Sequence, residues 1–385
     1  MVYVAILLDL LNSSVTELRL NGSRRMKAFI HKAFSLVGLC TAYVAVLCVW
    51  FSVRLIFGEP GVLMIVLNRA APWLFLPAGL ILLYSVYKRQ WKLATLQVVP
   101  TALFAYLFAP YLLPQSGNDP TPYGDSASLQ VMSYNVGNEN SGYDGIVANI
   151  ISLKPDIICF QELTPSGANE LVSSLETHYP WRHVGIPVEG GTTAIFSSVR
   201  PEKFSNVSLP PGRPAVFMTV NGAAPGDAEP SYFTVASAHL HSYQLRNVPV
   251  ASYANYIREQ TAAQHRQARR LAYEIIRRKH PVVLGCDANT KDTCYTYKVL
   301  SQQLGDAARE TGWRIGDSLP PGTAQDTRIS RLEYLFYTRQ SVRPWNVYRV
   351  KNTGGSDHQP VLGIFSIDGL HSVVRQANDD GIAAN

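Results

Sequence analysis

Pro281-Val-Val-Leu-Gly-Cys-Asp287-Ala-Asn289 is an apolar run of the kind that makes a buried strand, and it ends on a carboxylate followed two positions later by an amide. A carboxylate at the end of such a strand is costly unless something partners it. The segment before it, Tyr253 to Arg278, reads as a long helix. Leu271, Ile275 and Ile276 are its apolar positions, and Arg266, Arg269, Arg270, Arg277 and Arg278 form a solvated face.

Working outward, the pattern repeats. Leu129-Gln-Val-Met-Ser-Tyr-Asn135 is β-prone and ends in an amide, before a Gly- and Asn-rich loop from Gly137 to Gly142. After a helix at Ile146 to Leu153, stopped before Pro155, the strand Asp156-Ile-Ile-Cys-Phe160 is closed by Gln161-Glu162. Ala168 to Glu176 reads as a further helix, and Gly191 to Ser198 as a strand entered through glycines. Phe233 to Ala238 alternates as a strand and delivers His239, while Arg331-Leu-Glu333-Tyr-Leu-Phe-Tyr337 sets Glu333 among apolar neighbours. Gly354-Gly-Ser-Asp357-His358 stands at the mouth of the apolar run Val361 to Phe365.

Each polar residue alone has an ordinary structural explanation, such as a salt bridge for Glu162 or a satisfied core ring for His239. Their repeated position at strand ends is what binding sites in sheet proteins look like. The set offers hard oxygen ligands, suited to Mg²⁺ with Mn²⁺ or Ca²⁺ as alternatives, and lacks the Cys/His cluster of a zinc site. Neither a Gly-rich phosphate loop nor a Ser elbow occurs, which argues against triphosphate-driven motors and Ser hydrolases.

Composition divides the 385 residues near residue 118. The first part carries ten Lys/Arg against three Asp/Glu, and the remainder 24 against 25, so the basic character belongs to the first third alone. A near-neutral second part argues against a nucleic-acid groove as the primary reading. Five cysteines are too few and too scattered for a disulfide framework. Cys40, Cys48, Cys159 and Cys286 read as small buried hydrophobes, and Cys286 with Cys294 is the only bridge the spacing suggests.

Ala33 to Val53 is a run of 21 uncharged residues, long enough to cross a bilayer as a helix. Ala70 to Tyr87 and Leu93 to Leu113 are further runs of this kind, and Leu55 to Asn68 is apolar enough for a re-entrant piece. Cations before the first span and in the loop between the second and third outnumber Arg54 and Arg69 between the first and second, which places the N-terminus in the cytoplasm. Three crossings then put everything after Leu113 on the outer face of the cell membrane. The expected organisation is a cytoplasmic segment (1–32), three transmembrane helices (33–113), a turn-rich linker (114–127), a catalytic domain (128–368) and a flexible tail (369–385). Met26-Lys27 also looks like a natural start, and the role of residues 1–25 stays open.

Taken in order, Tyr-Asn135, Gln-Glu162, Ala-His239-Leu, Asp287-Ala-Asn289, Arg-Leu-Glu333-Tyr and Ser-Asp357-His358 resemble the endonuclease/exonuclease/phosphatase superfamily, which includes pancreatic deoxyribonuclease, neutral sphingomyelinases and inositol polyphosphate 5-phosphatases. The resemblance covers residues 128–368 and implies an α/β (α+β) four-layer sandwich, helices outside two mixed sheets. It implies that Glu162, with Asn135 and Asp357, holds Mg²⁺ against the scissile phosphate. Asp287 and Asn289 would orient the attacking water, His358 would act as base or phosphate clamp fixed by Glu333, and His239 would meet the phosphate from the leaving-group side. Two departures stand out: the family usually has Asp where this chain has Glu333, and Gly where it has Cys286. The spans joined to such a domain also resemble bacterial membrane proteins linked to teicoplanin-type glycopeptide resistance, thought to act on undecaprenyl-linked phosphates.

Confinement near a bilayer makes lipid-linked phosphates, pyrophosphates or headgroups the expected substrates, with no protein partner inferred. An outward-facing nuclease is the alternative, and an inactive domain that binds a phosphorylated ligand is the third reading.

Overall fold

Apolar residues facing every direction distinguish the first helices of the chain from the rest, and the two parts follow different packing rules. The structure is a computed structural model that describes residues 35–112, 128–137, 142–188, 190–223, 229–244, 248–311 and 331–370. The expected segment 1–32, the linker 114–127 and the tail from 371 onward lie outside these residues.

Among the described residues six helices come first: α1 (Leu36–Phe57), α2 (Val62–Arg69), α3 (Ala71–Leu74), α4 (Leu76–Tyr87), α5 (Trp91–Leu96) and α6 (Val98–Leu112). Two compact units are distinguished, and α2 with its flanks, Gly58–Ala71, belongs to the later one. In the first unit α1 buries Cys40, Leu47 and Trp50, while Leu39, Val46, Val49 and Ile56 remain exposed. Trp50 and Phe104 both set ring edges against Phe75, and the Tyr43 hydroxyl donates to the Leu74 carbonyl at 2.6 Å. Helices that are apolar on both their packed and outer sides suit a hydrocarbon surround. Leu36–Phe57 and Trp91–Ala109 are long and apolar enough to cross a membrane. The second expected span, Ala70 to Tyr87, matches Ala71–Tyr87, which meets Val62–Arg69 at 82°, so the candidate spans among the described residues number two, or three if that pair counts as one.

The second unit continues with β1 (Ser128–Asn135), α7 (Asp144–Leu153), β2 (Ile157–Leu163), α8 (Pro165–Leu175), β3 (Trp181–Val184), β4 (Thr192–Ser197), β5 (Lys203–Leu209), β6 (Arg213–Asn221) and β7 (Tyr232–His239). It closes with α9 (Tyr253–Ile276), β8 (Val282–Asp287), α10 (Tyr295–Ser301), β9 (Gly305–Asp306), α11 (Ala307–Thr311), β10 (Glu333–Tyr337), β11 (Val342–Arg349) and β12 (Val361–Ile367). Two six-stranded sheets result, ordered β11-β12-β1-β2-β4-β3 and β5-β6-β7-β8-β10-β9. Both are mixed, since β1–β2 and β7–β8 run parallel and the other pairings antiparallel.

Side-chain alternation builds the layers. Met132, Tyr134, Ile158 and Phe160 pack with Ile146, Ile150, Leu171 and Leu175 of α7 and α8. Ala236, Ala238, Leu284, Cys286, Tyr334 and Phe336 pack with Leu271 and Ile275 of α9 and Leu300 of α10. The alternate positions meet between the sheets: the Cys159 thiol donates to the Ala236 carbonyl at 3.4 Å, and the Gln161 amide to the Ser237 hydroxyl at 3.3 Å. This is the four-layer sandwich expected from the sequence, and all five cysteines are free.

Gly285 marks a close approach of the sheets, because a Cβ there would lie 2.7 Å from the Cys159 Cβ and 3.2 Å from that of Ser133. Gly285→Ala therefore lowers stability by about 1–3 kcal/mol, as overpacked cores do. Thermal unfolding of the full chain measures it, and an unchanged midpoint would show that the sheets have room to part.

Candidate active site

Strand alternation aims the strand-end polar groups at one place. Asn135, His239 and Asp287 have the parity that points between the sheets, opposite to that of Tyr134, Ala238 and Cys286. The two central parallel pairs end together, so the tips of β1 and β2 meet those of β7 and β8. The Asn135 amide nitrogen donates to Asp287 Oδ2 at 2.8 Å and to Glu162 Oε1 at 3.1 Å. His239 Nε2 lies 3.5 Å from Glu162 Oε1 and 3.6 Å from Asp287 Oδ2.

Glu162 has the wrong parity for this and arrives by a different device. The β2–β4 register shifts between Phe160 and Leu163, and Glu162 itself has φ +56°, in the left-handed region. Gly191 permits the detour, since a Cβ there would sit 2.5 Å from the Glu162 carbonyl carbon.

On the other flank, β10 pairs antiparallel with β8 so that Glu333 stands opposite Asp287. Glu333 Oε1 lies 3.0 Å from His358 Nδ1, so the extra methylene relative to the family's usual Asp still allows the contact. Ser356 anchors the loop by donating to the Asn135 carbonyl at 2.8 Å and accepting from the His358 N–H at 3.0 Å. Two clusters follow, Glu162–His239–Asp287 and Asp287–Glu333–His358, each with ligand atoms within 4.8 Å of one another.

Asp357 and Asn135 sit differently from their expected metal-ligand roles. The Asp357 side chain is 70% exposed, and it belongs to neither cluster. On this loop His358 is turned into the site and Asp357 towards solvent. The Asn135 oxygen accepts from the Gly137 N–H at 3.0 Å, so its nitrogen faces the carboxylates and it acts as the donor that holds them together.

Electrostatics separates the two imidazoles. Burial, Arg213 and the neighbouring histidines push the His239 pKa well below its ordinary value. Arg213 Nη1 lies 2.8 Å from His239 Nδ1 and the Asn289 amide nitrogen 2.9 Å from Nε2, so both ring nitrogens face donors and the ring stays neutral. The His239–Asp287 contact is therefore not an ion pair. For His358 burial opposes the charge, but the Glu333 hydrogen bond and the fields of Asp287, Glu333 and Asp357 outweigh it and raise the pKa to about 10. Burial raises the Asp287 carboxyl above its usual range, against the pull of His358, the Asn289 N–H and Asn135. The Cys286 thiol is pushed well above its usual value by burial first and by Asp287 and Glu333 next, so it stays a protonated packing group.

Asn289, at φ +48°, brings its amide within 2.9 Å of His239 Nε2, and its N–H donates to Asp287 Oδ1 at 2.9 Å. Sequence reading did not single out Arg213. Its signal was the Pro210-Pro-Gly-Arg213-Pro turn, which drops a cation at the first position of a strand in the sheet that carries His239 and Asp287.

The sequence signature of the Endonuclease/Exonuclease/phosphatase family matches residues 132–358, well over half the chain and all six motifs. The chain belongs to this family. The chain is also similar to solved structures. An endonuclease/exonuclease/phosphatase from Beutenbergia cavernae is 19% identical, with TM-score 0.48, covering 63% of this chain and 72% of its own. One from Bacteroides vulgatus is 15% identical, with TM-score 0.49, covering 63% and 100%. The human Nocturnin catalytic domain, solved with a bound sulfate anion, is 18% identical, with TM-score 0.45, covering 62% and 94%. No curated protein sequence matches the chain. Family membership makes the domain a phosphoester-hydrolase fold.

Proposed function

We propose that this family member is a divalent-cation-dependent phosphoesterase at the outer face of the cell membrane, hydrolysing phosphate ester or pyrophosphate bonds of a lipid-linked or headgroup substrate. The observation that carries the chemistry is the clustering of Glu162, Asp287 and His239 beside Glu333 and His358. Two carboxylates, one fully buried, held together by a single amide nitrogen suit a hard cation, and their oxygens match Mg²⁺, with Mn²⁺ or Ca²⁺ as alternatives. Glu162 and Asp287 would hold it; such an ion supplies Lewis-acid stabilisation of the phosphoryl oxygens.

The chain's own groups supply the rest. Asp287 accepts a proton from the attacking water, and the Asn289 amide orients that water. Neutral His239 meets the phosphate from the leaving-group side. His358, kept cationic by Glu333, clamps the phosphate as a charge rather than acting as base at neutral pH, which refines the dual role expected from the sequence.

Three crossings are supported by the apolar segments Leu36–Phe57, Trp91–Ala109 and Ala71–Tyr87, the last joined to Val62–Arg69 at a sharp bend, and the outer location by the charge bias.

Purified full chain with Mg²⁺ is expected to release phosphate or headgroup from a polyprenyl pyrophosphate or a phosphodiester lipid, and to leave plasmid DNA intact. DNA cleavage without lipid turnover would replace the proposal by the nuclease reading. Turnover of none of the three would leave a phosphate-binding scaffold. In sealed right-side-out vesicles, added protease should cut the domain, and full protection would overturn the outer location.

A further inference from the structure

Arg69, read from the sequence as one of two cations between the first two apolar runs, reaches the active-site loop. We infer that Arg69 is a positioning residue for Asn289, and that the segment between α1 and α3 is therefore a working part of the catalytic domain as well as a connection. The inference rests on the assignment of Asn289 to the site.

Arg69 Nη2 donates to the Asn289 carbonyl at 3.0 Å and to Gln264 Oε1 at 3.3 Å. Gln264 Nε2 donates to the same Asn289 carbonyl at 3.0 Å and also to the His241 carbonyl. One carbonyl thus receives two donors, on a residue at φ +48°, a left-handed conformation that Asn adopts more readily than other side chains and that these bonds hold in place. Holding that carbonyl fixes the backbone at Asn289, from which its N–H reaches Asp287 and its side-chain amide reaches His239. Beneath the guanidinium lies the Tyr243 ring, 3.8 Å to its centroid, which fixes the fork in one orientation.

Arg69 is itself held by a built dock. Glu59, nearly buried, accepts from the Asn68 amide and the Tyr295 N–H at 3.2 Å each and pairs with His265 at 3.1 Å. Burial works against its charge, and the bonds from His265 and Asn68 outweigh that to hold its carboxyl below the usual range. The Thr293 hydroxyl donates to the Asn68 carbonyl. At the other end, Gly58 has φ +71°, and a Cβ there would meet the Tyr295 ring at 2.7 Å. Both ends of α2 are therefore fastened to the stretch that follows Asn289. A chain cut at the linker, the usual way to obtain a soluble domain, would lose this brace.

The test uses the full chain in detergent with Mg²⁺ and bis(p-nitrophenyl) phosphate. Arg69→Ala should lower kcat on the order of 10- to 100-fold, as small misplacements of catalytic groups do. KM and the Mg²⁺ concentration for half-activation should be unchanged. Arg69→Lys, which keeps a donor for one acceptor but not the fork, should recover part of the loss. Amide exchange by mass spectrometry gives a readout independent of turnover: Arg69→Ala should speed exchange across 286–296 and leave 157–163 as in the parent. If the parent turns over no phosphoester, this exchange pattern still decides the role of Arg69. Unchanged exchange and kcat in Arg69→Ala, or a raised KM with kcat intact, would overturn the inference. Should Arg69→Ala fail to fold, Arg69→Lys with exchange and kcat both equal to the parent would overturn it equally.

Discussion

Glu162→Gly leaves the domain at least as stable as the parent and removes cation-dependent turnover by on the order of 10³-fold or more. Most catalytic substitutions are expected to be neutral or harmful to folding, and this one differs because of the backbone. Glu162 sits at φ +56° inside a strand bulge, a conformation that costs a residue with a side chain about 1–3 kcal/mol. Glycine adopts it freely, and its own cost, the extra freedom of the unfolded chain, is about 0.5–1 kcal/mol. Removing a carboxylate that crowds Asp287 adds a second small gain. Glu162→Ala keeps the strained backbone and loses the same carboxylate, so it should match the activity loss without the gain in stability. Thermal unfolding in chelator, paired with phosphoester turnover in Mg²⁺, checks both halves. A lower midpoint for Glu162→Gly than for Glu162→Ala would mean the bulge is unstrained, and retained turnover in either would remove Glu162 from the machinery.

His358→Ala costs on the order of 10²- to 10³-fold in turnover, because a preorganised charge beside the phosphate is lost. Its pH behaviour separates the clamp from a general base. In the folded chain Glu333, Asp287 and Asp357 raise the ring's pKa to about 10, from 6.5 when free of the fold. Stability from this charge is therefore fully present below about pH 6.5 and is lost as pH rises through about 10. Glu333→Gln keeps a similar shape and a hydrogen-bonding group but removes the charge. In chelator, the parent's advantage in unfolding temperature over Glu333→Gln should shrink steadily across that window. The His358 ring signal should titrate near 10 in the parent and well below it in the variant, as followed by NMR of histidine-labelled protein. A parent ring that titrates near 6.5 would return His358 to the role of base.

Sequence was informative wherever a simple periodicity governed. Buried parallel strands read as apolar runs, so β1, β2, β7 and β8 were legible, and their polar last residues stood out against them. Period-two alternation then carried Asn135, His239 and Asp287 to the inter-sheet side with no further information. β3, β5 and β11 escaped notice because they lie at the sheet edges and are only partly buried, so no apolar run announces them, and β6 went unread although it is buried and interior. The apolar stretch Leu55 to Asn68 carries a helix set at a sharp angle to the expected second span, an angle the sequence could not show because hydropathy records polarity along the chain but not the direction of its axis.

Alone, the sequence determined that an apolar helical third precedes a layered α/β domain with a polar group at each strand end, since burial and alternation are local properties of the chain. Tertiary structure decided the aim of every group that escapes alternation. A bulge turns Glu162 into the site, a loop points His358 inward and Asp357 outward, and the long side chains of Arg213 and Arg69 arrive from segments remote in sequence. Bulges, loops and long flexible side chains obey no period, so only the packed fold fixes where they point.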